Sequence, residues 1–171
     1  MGLFRLDSTL NPEPFCIMPS PTLFEPVALG TLRLANRTVR SATWEGLAAE
    51  DGSATPALVE SMIRLARGGV GLIITGHAYV APAGQAGRLQ LGIDRDERLP
   101  GLRDLVRSVH AAGGKIAVQL AHSGGHASAK LTGCEPAGPS AFSNSSGLVC
   151  REMNEADMAA VVAAFAAAAF A

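Results

Sequence analysis

The chain has 171 residues, of which 48% are apolar and 17% are charged, so a hydrophobic core is possible and a wholly disordered chain is excluded. Lys and Arg number 14 against 15 acidic residues, and the net charge of -1 predicts no affinity for nucleic acid or acidic membranes. The three cysteines lack regular spacing, which indicates a reducing compartment. We therefore expect a cytoplasmic protein.

Residues 1–20 are predicted to be a flexible leader that precedes a single domain, residues 21–171. The leader contains Asp7, Glu13 and three prolines, which interrupt any signal-peptide core. Elsewhere, no stretch approaches the ~20 uncharged apolar residues that a membrane-spanning helix needs. These features predict that the chain is neither secreted nor inserted into a membrane.

The first elements of the domain are predicted from alternation and helix caps. Apolar and polar residues alternate over residues 23–36 on both sides of Gly30, which predicts a β-hairpin. Residues 38–43 are predicted to form the next strand. Thr55-Pro56 is a typical helix start, with the threonine as cap and the proline at the first helical position. Gly68-Gly69 is predicted to end this helix.

Two continuous apolar runs, residues 70–75 and 115–120, predict strands that are buried on both faces. Between them lie a predicted loop over residues 77–98 and a second helix, whose apolar residues from Leu102 to Val109 share a face. The order strand, helix, strand predicts parallel strands joined by a helical crossover.

The last part of the chain is predicted to pass from a loop to a helix. Residues 123–151 are rich in Gly, Ser and Pro and are predicted to form a long loop. A helix is predicted to begin at Asn154, with Asp157 three residues on. Its apolar residues are predicted to face one way; they are Met158, Val161, Val162 and Phe165. With this helix, every strand after the hairpin is followed by a helix.

A repeat supports this order of elements. Ala66-x-Gly68-Gly69 recurs 45 residues later as Ala111-x-Gly113-Gly114, and the same offset relates His77 to His122. The alternative is coincidence, because Gly-Gly commonly stops a helix. Repeated βα units predict an α/β fold, either a (β/α)8 barrel or a doubly wound sheet. Neither G-x-G-x-x-G nor G-x-x-x-x-G-K-[ST] occurs, which favours a partial barrel: its first three βα units with an N-terminal β-hairpin cap.

Candidate site residues lie at the C-terminal ends of the predicted strands, where a barrel places its active site. Gln119 is unusual, because an amide inside an apolar run costs about 1–3 kcal/mol if unpaired, and it offers both a donor and an acceptor. A heterocycle with an adjacent carbonyl and ring N–H would match it; the alternative is a backbone partner. Gly76 either admits a flat molecule or begins a turn. Trp44 and Glu45 either line a site or belong to the core.

No metal site is predicted. His122 and His126 have an i,i+4 spacing, but the two glycines between them argue against a helix. A metal site would require a third ligand, and no cysteine or carboxylate is close in the sequence.

Three stretches of the chain carry a family resemblance. They are LFEPVALGTLRLANRTVRSATWEG (residues 23–46), GGVGLIITG (68–76) and KIAVQLAHSG (115–124). Together with Gly138-Pro139-Ser140-Ala141 and the helix from Asn154, they resemble the N-terminal half of the Old Yellow Enzyme family of NADH:flavin oxidoreductases.

The resemblance implies an FMN-binding TIM barrel with NAD(P)H as reductant. It implies ene-reductase-like hydride transfer through flavin N5 to an activated alkene or a similar small acceptor. The flavin-contacting residues that it implies are Ser41, Ala42, Thr43, Trp44, Gly76 and Gln119. The family's substrate-binding histidine pair and its phosphate-binding loops follow later strands, so catalytic residues are not assigned. We expect residues 1–171 alone to be inactive and able to form a homo-oligomer.

The chain departs from the family's pattern at the rim of this pocket. Ala42-Thr43 stands where many members have Pro-Met, Gly46 replaces a frequent tyrosine, and Gly125 replaces an arginine. These differences bear on substrate orientation more than on flavin binding. Two alternatives remain: an inactive half-barrel that dimerises or docks onto a partner, and a different barrel enzyme that binds a phosphate ester.

Overall fold

A computed structural model describes residues 22–145, 147 and 149–171; the predicted leader lies outside the described residues. The alternating segment forms the predicted hairpin. Strand β1 (Val27–Leu29) pairs antiparallel with β2 (Leu32–Leu34). Gly30 lies in the turn with φ of 59°, a left-handed conformation that glycine adopts without strain.

A three-stranded parallel sheet follows, in the order β3 (Val39–Arg40), β4 (Leu72–Tyr79) and β5 (Ile116–Ala121). Helix α1 (Pro56–Arg67) connects the first pair of strands, and helix α2 (Leu99–Ala111) connects the second. Neighbours in the sequence are therefore neighbours in the sheet, as repeated βα units require. The predicted α/β class and the three parallel strands are confirmed.

The two helices pack on the sheet through the faces that their periodicity predicts. Thr55 caps α1: its hydroxyl oxygen accepts a hydrogen bond from Leu58 N at 3.2 Å. The helix ends before Gly68, and Gly69 has φ of 80°. Apolar side chains from both helices and from β4 fill the core; the largest of them are Leu58, Met62, Ile73, Leu105 and Val109.

Three strand predictions are wrong in their details. The strand predicted over residues 38–43 spans only Val39–Arg40, and residues 41–43 belong to the segment that follows it. β4 does not end at Thr75 but continues to Tyr79, because an irregularity between Ile74 and His77 lets it keep pairing with β5. β5 is not buried on both faces: residues 117–119 are exposed. Within the described ranges β5 pairs with β4 alone, so one side of the strand lacks a covering neighbour.

The segment predicted to be one long loop contains short elements. They are α3 (Ala129–Thr132), β6 (Ala137–Gly138), β7 (Phe142–Ser143) and β8 (Val149–Glu152). β8 lies at the centre of a small sheet, parallel to β6 and antiparallel to β7. Strands this short show no readable alternation, so the sequence pattern did not reveal them.

Helix α4 (Glu155–Ala169) begins as predicted, with reciprocal hydrogen bonds between Asn154 and Asp157. Its predicted face is wrong in part, because Met158 and Val162 are exposed. The inward residues are Val161, Ala164, Phe165 and Ala168. The helix is apolar on nearly every side, so periodicity does not select a face.

None of the helices within the described ranges has the length and apolar character that crossing a bilayer requires.

The contact between Arg151 and Asp157 predicts a pH-dependent contribution to stability. Both carboxylate oxygens of Asp157 accept hydrogen bonds from Arg151, at 2.6 and 2.8 Å, and one also accepts from Asn154 N at 2.9 Å. These bonds lower the pKa of Asp157 from 3.8 to about 2. Because the folded-state pKa lies below the unfolded value, the stabilisation is present above 3.8 and is lost as the pH falls towards 2.

Asp157→Asn is therefore expected to lower the free energy of unfolding at neutral pH. The difference from the unsubstituted protein should shrink as the pH falls below about 4, which urea unfolding followed by circular dichroism measures. Asp104→Asn, in the exposed pair that Asp104 makes with Arg107, is the matched control and should have little effect. A difference for Asp157→Asn that does not change with pH would contradict this account.

Candidate functional site

The carboxyl ends of β3, β4 and β5 lie at one edge of the parallel sheet. The segment that follows β3, residues 41–45, is called the β3 loop. It contains four of the six predicted site residues, while Gly76 lies in β4 and Gln119 in β5. The topology therefore brings all six to the same edge.

Arg40, the last residue of β3, fixes the β3 loop to β4. Its guanidinium donates from Nη1 to the Ile74 carbonyl at 2.7 Å and from Nη2 to the Thr43 carbonyl at 2.9 Å. Nη1 also lies 2.8 Å from Glu45 Oε1, and the two side chains are only 17% and 11% exposed. A single cation thus links the neighbouring strand to the middle and the last residue of the loop.

Gly76 is buried where the β3 loop crosses β4. Its N–H donates to Glu45 Oε1 at 3.0 Å, and its carbonyl accepts from the Thr75 hydroxyl at 2.8 Å. A Cβ atom at this position would lie 2.3 Å from Glu45 Oε2 and 2.8 Å from the Thr43 carbonyl. The alternative that Gly76 begins a turn is wrong; glycine is required because the loop approaches the strand this closely.

Most side chains of the β3 loop face outward, whereas Glu45 faces inward towards Arg40 and Gly76. Ser41 and Thr43 are exposed, Ala42 is half-buried, and the Thr43 hydroxyl donates to the Ser41 carbonyl at 3.1 Å. Trp44 is 54% exposed, so it does not belong to the core. The loop presents a surface of small polar groups beside one aromatic ring.

Two glycines lie near the ring of Trp44. Cβ atoms built at Gly46 and Gly87 would lie 3.7 and 3.5 Å from its Cζ2 atom. Gly46 has φ of 62°, a left-handed conformation that favours glycine. A side chain added at either position would therefore contact the indole.

Gln119 lies opposite His77 in the β4–β5 pairing, and its N–H donates to the Thr75 hydroxyl at 3.4 Å. The side chain is exposed, so the expected cost of a buried amide does not apply. The alternative of a backbone partner is not seen: no described residue bonds to the side-chain amide. Its donor and its acceptor are both available to a ligand.

Gln90 is a fully buried polar residue that the sequence analysis missed. Its Oε1 accepts from Ala86 N at 2.7 Å and from Gly87 N at 3.3 Å, and its Nε2 donates to the His77 carbonyl at 3.0 Å. These bonds anchor the loop that carries Gly87 near Trp44. The signal in the sequence that could have indicated this buried residue was a single amide side chain between Leu89 and Leu91.

The two histidines after β5 have separate surroundings. His122 Nδ1 accepts from Gly124 N at 3.0 Å, so the ring proton of the neutral form is on Nε2. Burial lowers the pKa of His122 below its usual 6.5. His126 instead packs on Phe142, with ring centres 5.4 Å apart.

An apolar cleft of about 630 Å³ lies between α2 and β5 and is lined by residues such as Leu102, Val106 and Val118. A second cleft of about 430 Å³ lies between His122 and α4. Neither includes any of the six predicted residues. The edge that carries those residues is thus an open surface in the described part of the chain.

Comparison with known proteins matches residues 22–170 to the NADH:flavin oxidoreductase / NADH oxidase family. A metal reductase from Desulforamulus reducens is 40% identical over 149 residues, which are 86% of this chain and 22% of that protein. A 4,4'-dithiodibutanoate disulfide reductase from Rhodococcus erythropolis is 40% identical over 106 residues, 62% of this chain and 26% of that protein.

Among solved structures, the Old Yellow Enzyme homologue from Zymomonas mobilis superimposes with a TM-score of 0.77 and 25% identity. The match covers 87% of this chain and 44% of that one. The chain thus spans about a quarter of the length of the relatives named above and less than half of this structure.

The close approach at Gly76 predicts the effect of adding a side chain there. Gly76→Ala is expected to push the β3 loop off β4, at a cost of about 1–3 kcal/mol in the free energy of unfolding. Trp44 is the single tryptophan of the sequence, so its emission reports the displacement. In the control, Gly101→Ala, the added Cβ meets its nearest atom at 3.5 Å and should leave the emission unchanged. Unaltered emission and stability in Gly76→Ala would show that the loop is not held against β4.

Proposed function

This chain belongs to the NADH:flavin oxidoreductase / NADH oxidase family, and we propose that residues 21–171 are the N-terminal half of an FMN-binding (β/α)8 barrel. The parallel order β3-β4-β5, with a helix in each connection, supports this architecture. The likeness to the Zymomonas mobilis structure supports it as well. In this proposal the β1–β2 hairpin caps the barrel.

The observation that carries the cofactor assignment is the exposed amide of Gln119 at the same edge as the β3 loop. A flavin ring is flat and has a pyrimidine edge where carbonyl groups flank a ring N–H. An amide matches that edge because it donates and accepts side by side. Ser41 to Trp44 supply a surface of small groups and one aromatic ring, which fits the remainder of a flat heterocycle.

Gly76 has a different role from the one that the resemblance implies. Its N–H is bonded to Glu45, its carbonyl to Thr75, and the space of its missing side chain is filled by the β3 loop. We therefore assign to Gly76 the seating of the loop, and to residues 41–44 and 119 the direct contacts with the ring.

Bound FMN supplies the redox chemistry, transfer of a hydride from NAD(P)H to a small acceptor such as an activated alkene. The chain's residues bind and orient the ring. The Gln119 N–H group stabilises negative charge at the pyrimidine edge, where it increases on reduction. Trp44 is exposed at the end of the loop, and we assign to it a role in limiting which acceptors reach the ring.

Gln119→Leu tests the assignment in the protein as its gene encodes it. Loss of hydrogen bonds to a charged or strongly polar edge is expected to weaken FMN binding by about 10- to 100-fold and to lower the flavin's midpoint potential. Fluorescence titration with FMN and a spectroelectrochemical titration measure the two effects. Val118→Thr, on the neighbouring exposed position of β5, is the control and should change neither value. Unchanged affinity and potential in Gln119→Leu would remove this residue from the site.

A further inference from the structure

We infer that Arg40 and Glu45 are positioning residues of the flavin site and that their opposite charges set the electrostatic potential at the ring. The inference rests on the proposed function, because it assigns a role beside the FMN that the edge is proposed to hold. It concerns two residues that lie behind the β3 loop and that the family resemblance does not assign.

The placement of the Arg40–Glu45 pair supports a positioning role. Arg40 donates to carbonyl oxygens on both β4 and the β3 loop, at 2.7 and 2.9 Å. Glu45 accepts from the Gly76 N–H at 3.0 Å and lies 2.8 Å from the guanidinium. Together these contacts link the end of β3, the middle of β4 and the loop that is proposed to touch the ring. The pair therefore holds the loop in one position relative to the two strands.

The low exposure of the Arg40 and Glu45 side chains supports an electrostatic role. The Arg40 and Glu45 side chains are 17% and 11% exposed, whereas the Arg88 and Glu50 side chains, which also form an ion pair, are 73% and 63% exposed. Water and salt screen the exposed pair, but a charge with little solvent around it acts over a longer distance. Because the Arg40 and Glu45 side chains have little solvent around them, we expect both charges to act at the proposed ring position, where they offset each other.

The direction in which the midpoint potential of bound FMN changes distinguishes an electrostatic role of the pair from simple support of the loop. The reduced ring carries more negative charge than the oxidised ring, so an unbalanced cation nearby favours reduction. Glu45→Gln keeps an oxygen that accepts from the Gly76 N–H and from Arg40 but removes the negative charge. It is therefore expected to raise the midpoint potential of bound FMN. A residue that only supported the loop would weaken FMN binding and leave the potential where it was.

The test is a spectroelectrochemical titration of FMN bound to the protein as its gene encodes it, with FMN affinity measured in parallel. Glu45→Gln should retain FMN and show a higher potential. Arg40→Met combined with Glu45→Gln removes both charges, and its potential should return towards that of the unsubstituted protein. Arg40→Lys keeps the charge but cannot bond to both carbonyl groups, so it should bind FMN about tenfold or more weakly with little change in potential. Glu50→Gln, in the exposed pair, is the matched control and should change neither value.

Two results would overturn the inference alone: FMN bound to Glu45→Gln with an unchanged or lower potential, or a double variant whose potential stays as high as that of Glu45→Gln. The unsubstituted protein serves as the check on the proposed function. If it binds no FMN, the proposed function fails and this inference fails with it.

Discussion

The structure of the candidate site depends on one largely buried ion pair. Arg40 and Glu45 lie between the end of β3 and the middle of β4, and together they bond to backbone groups of β4 and of the β3 loop. Loss of one partner of such a pair is destabilising, because the other charge remains unpaired with little solvent around it. The pair therefore fixes one arrangement of the β3 loop, and the exposed surface of that loop follows from it.

Several residues that are distant in sequence from the β3 loop help to hold the surface of the candidate site in place. Gly76 is needed because the Glu45 carboxylate and the Thr43 carbonyl occupy the place of a side chain. The irregularity of β4 next to this glycine lets the strand continue to Tyr79 while β5 brings Gln119 to the edge. Gln90, bonded to the backbone of three residues, holds the loop that places Gly87 near the Trp44 ring. Strand, loop and glycine positions thus act as one support for an exposed ligand surface.

The sequence predicted the elements whose signals are local and strong. The hairpin at Gly30, the Thr55 cap and the reciprocal cap of Asn154 with Asp157 all follow from short-range chemistry, and the structure contains them. Contacts distant in sequence decided the rest. Gln119 was expected to be buried because its neighbours are apolar, but β5 lacks a second neighbouring strand in the described ranges. Arg40 and Glu45 contact Ile74 and Gly76 only because β4 packs beside β3. The spacing of residues along the chain does not reveal these contacts.

The edge formed by the β3 loop and Gln119 is proposed to hold FMN. The most direct measurement is to purify the protein as its gene encodes it, denature it, and identify the released chromophore by mass spectrometry with quantification against protein. The account predicts FMN at close to one molecule per chain. Protein that contains no flavin, and that binds none when FMN is added, would contradict it.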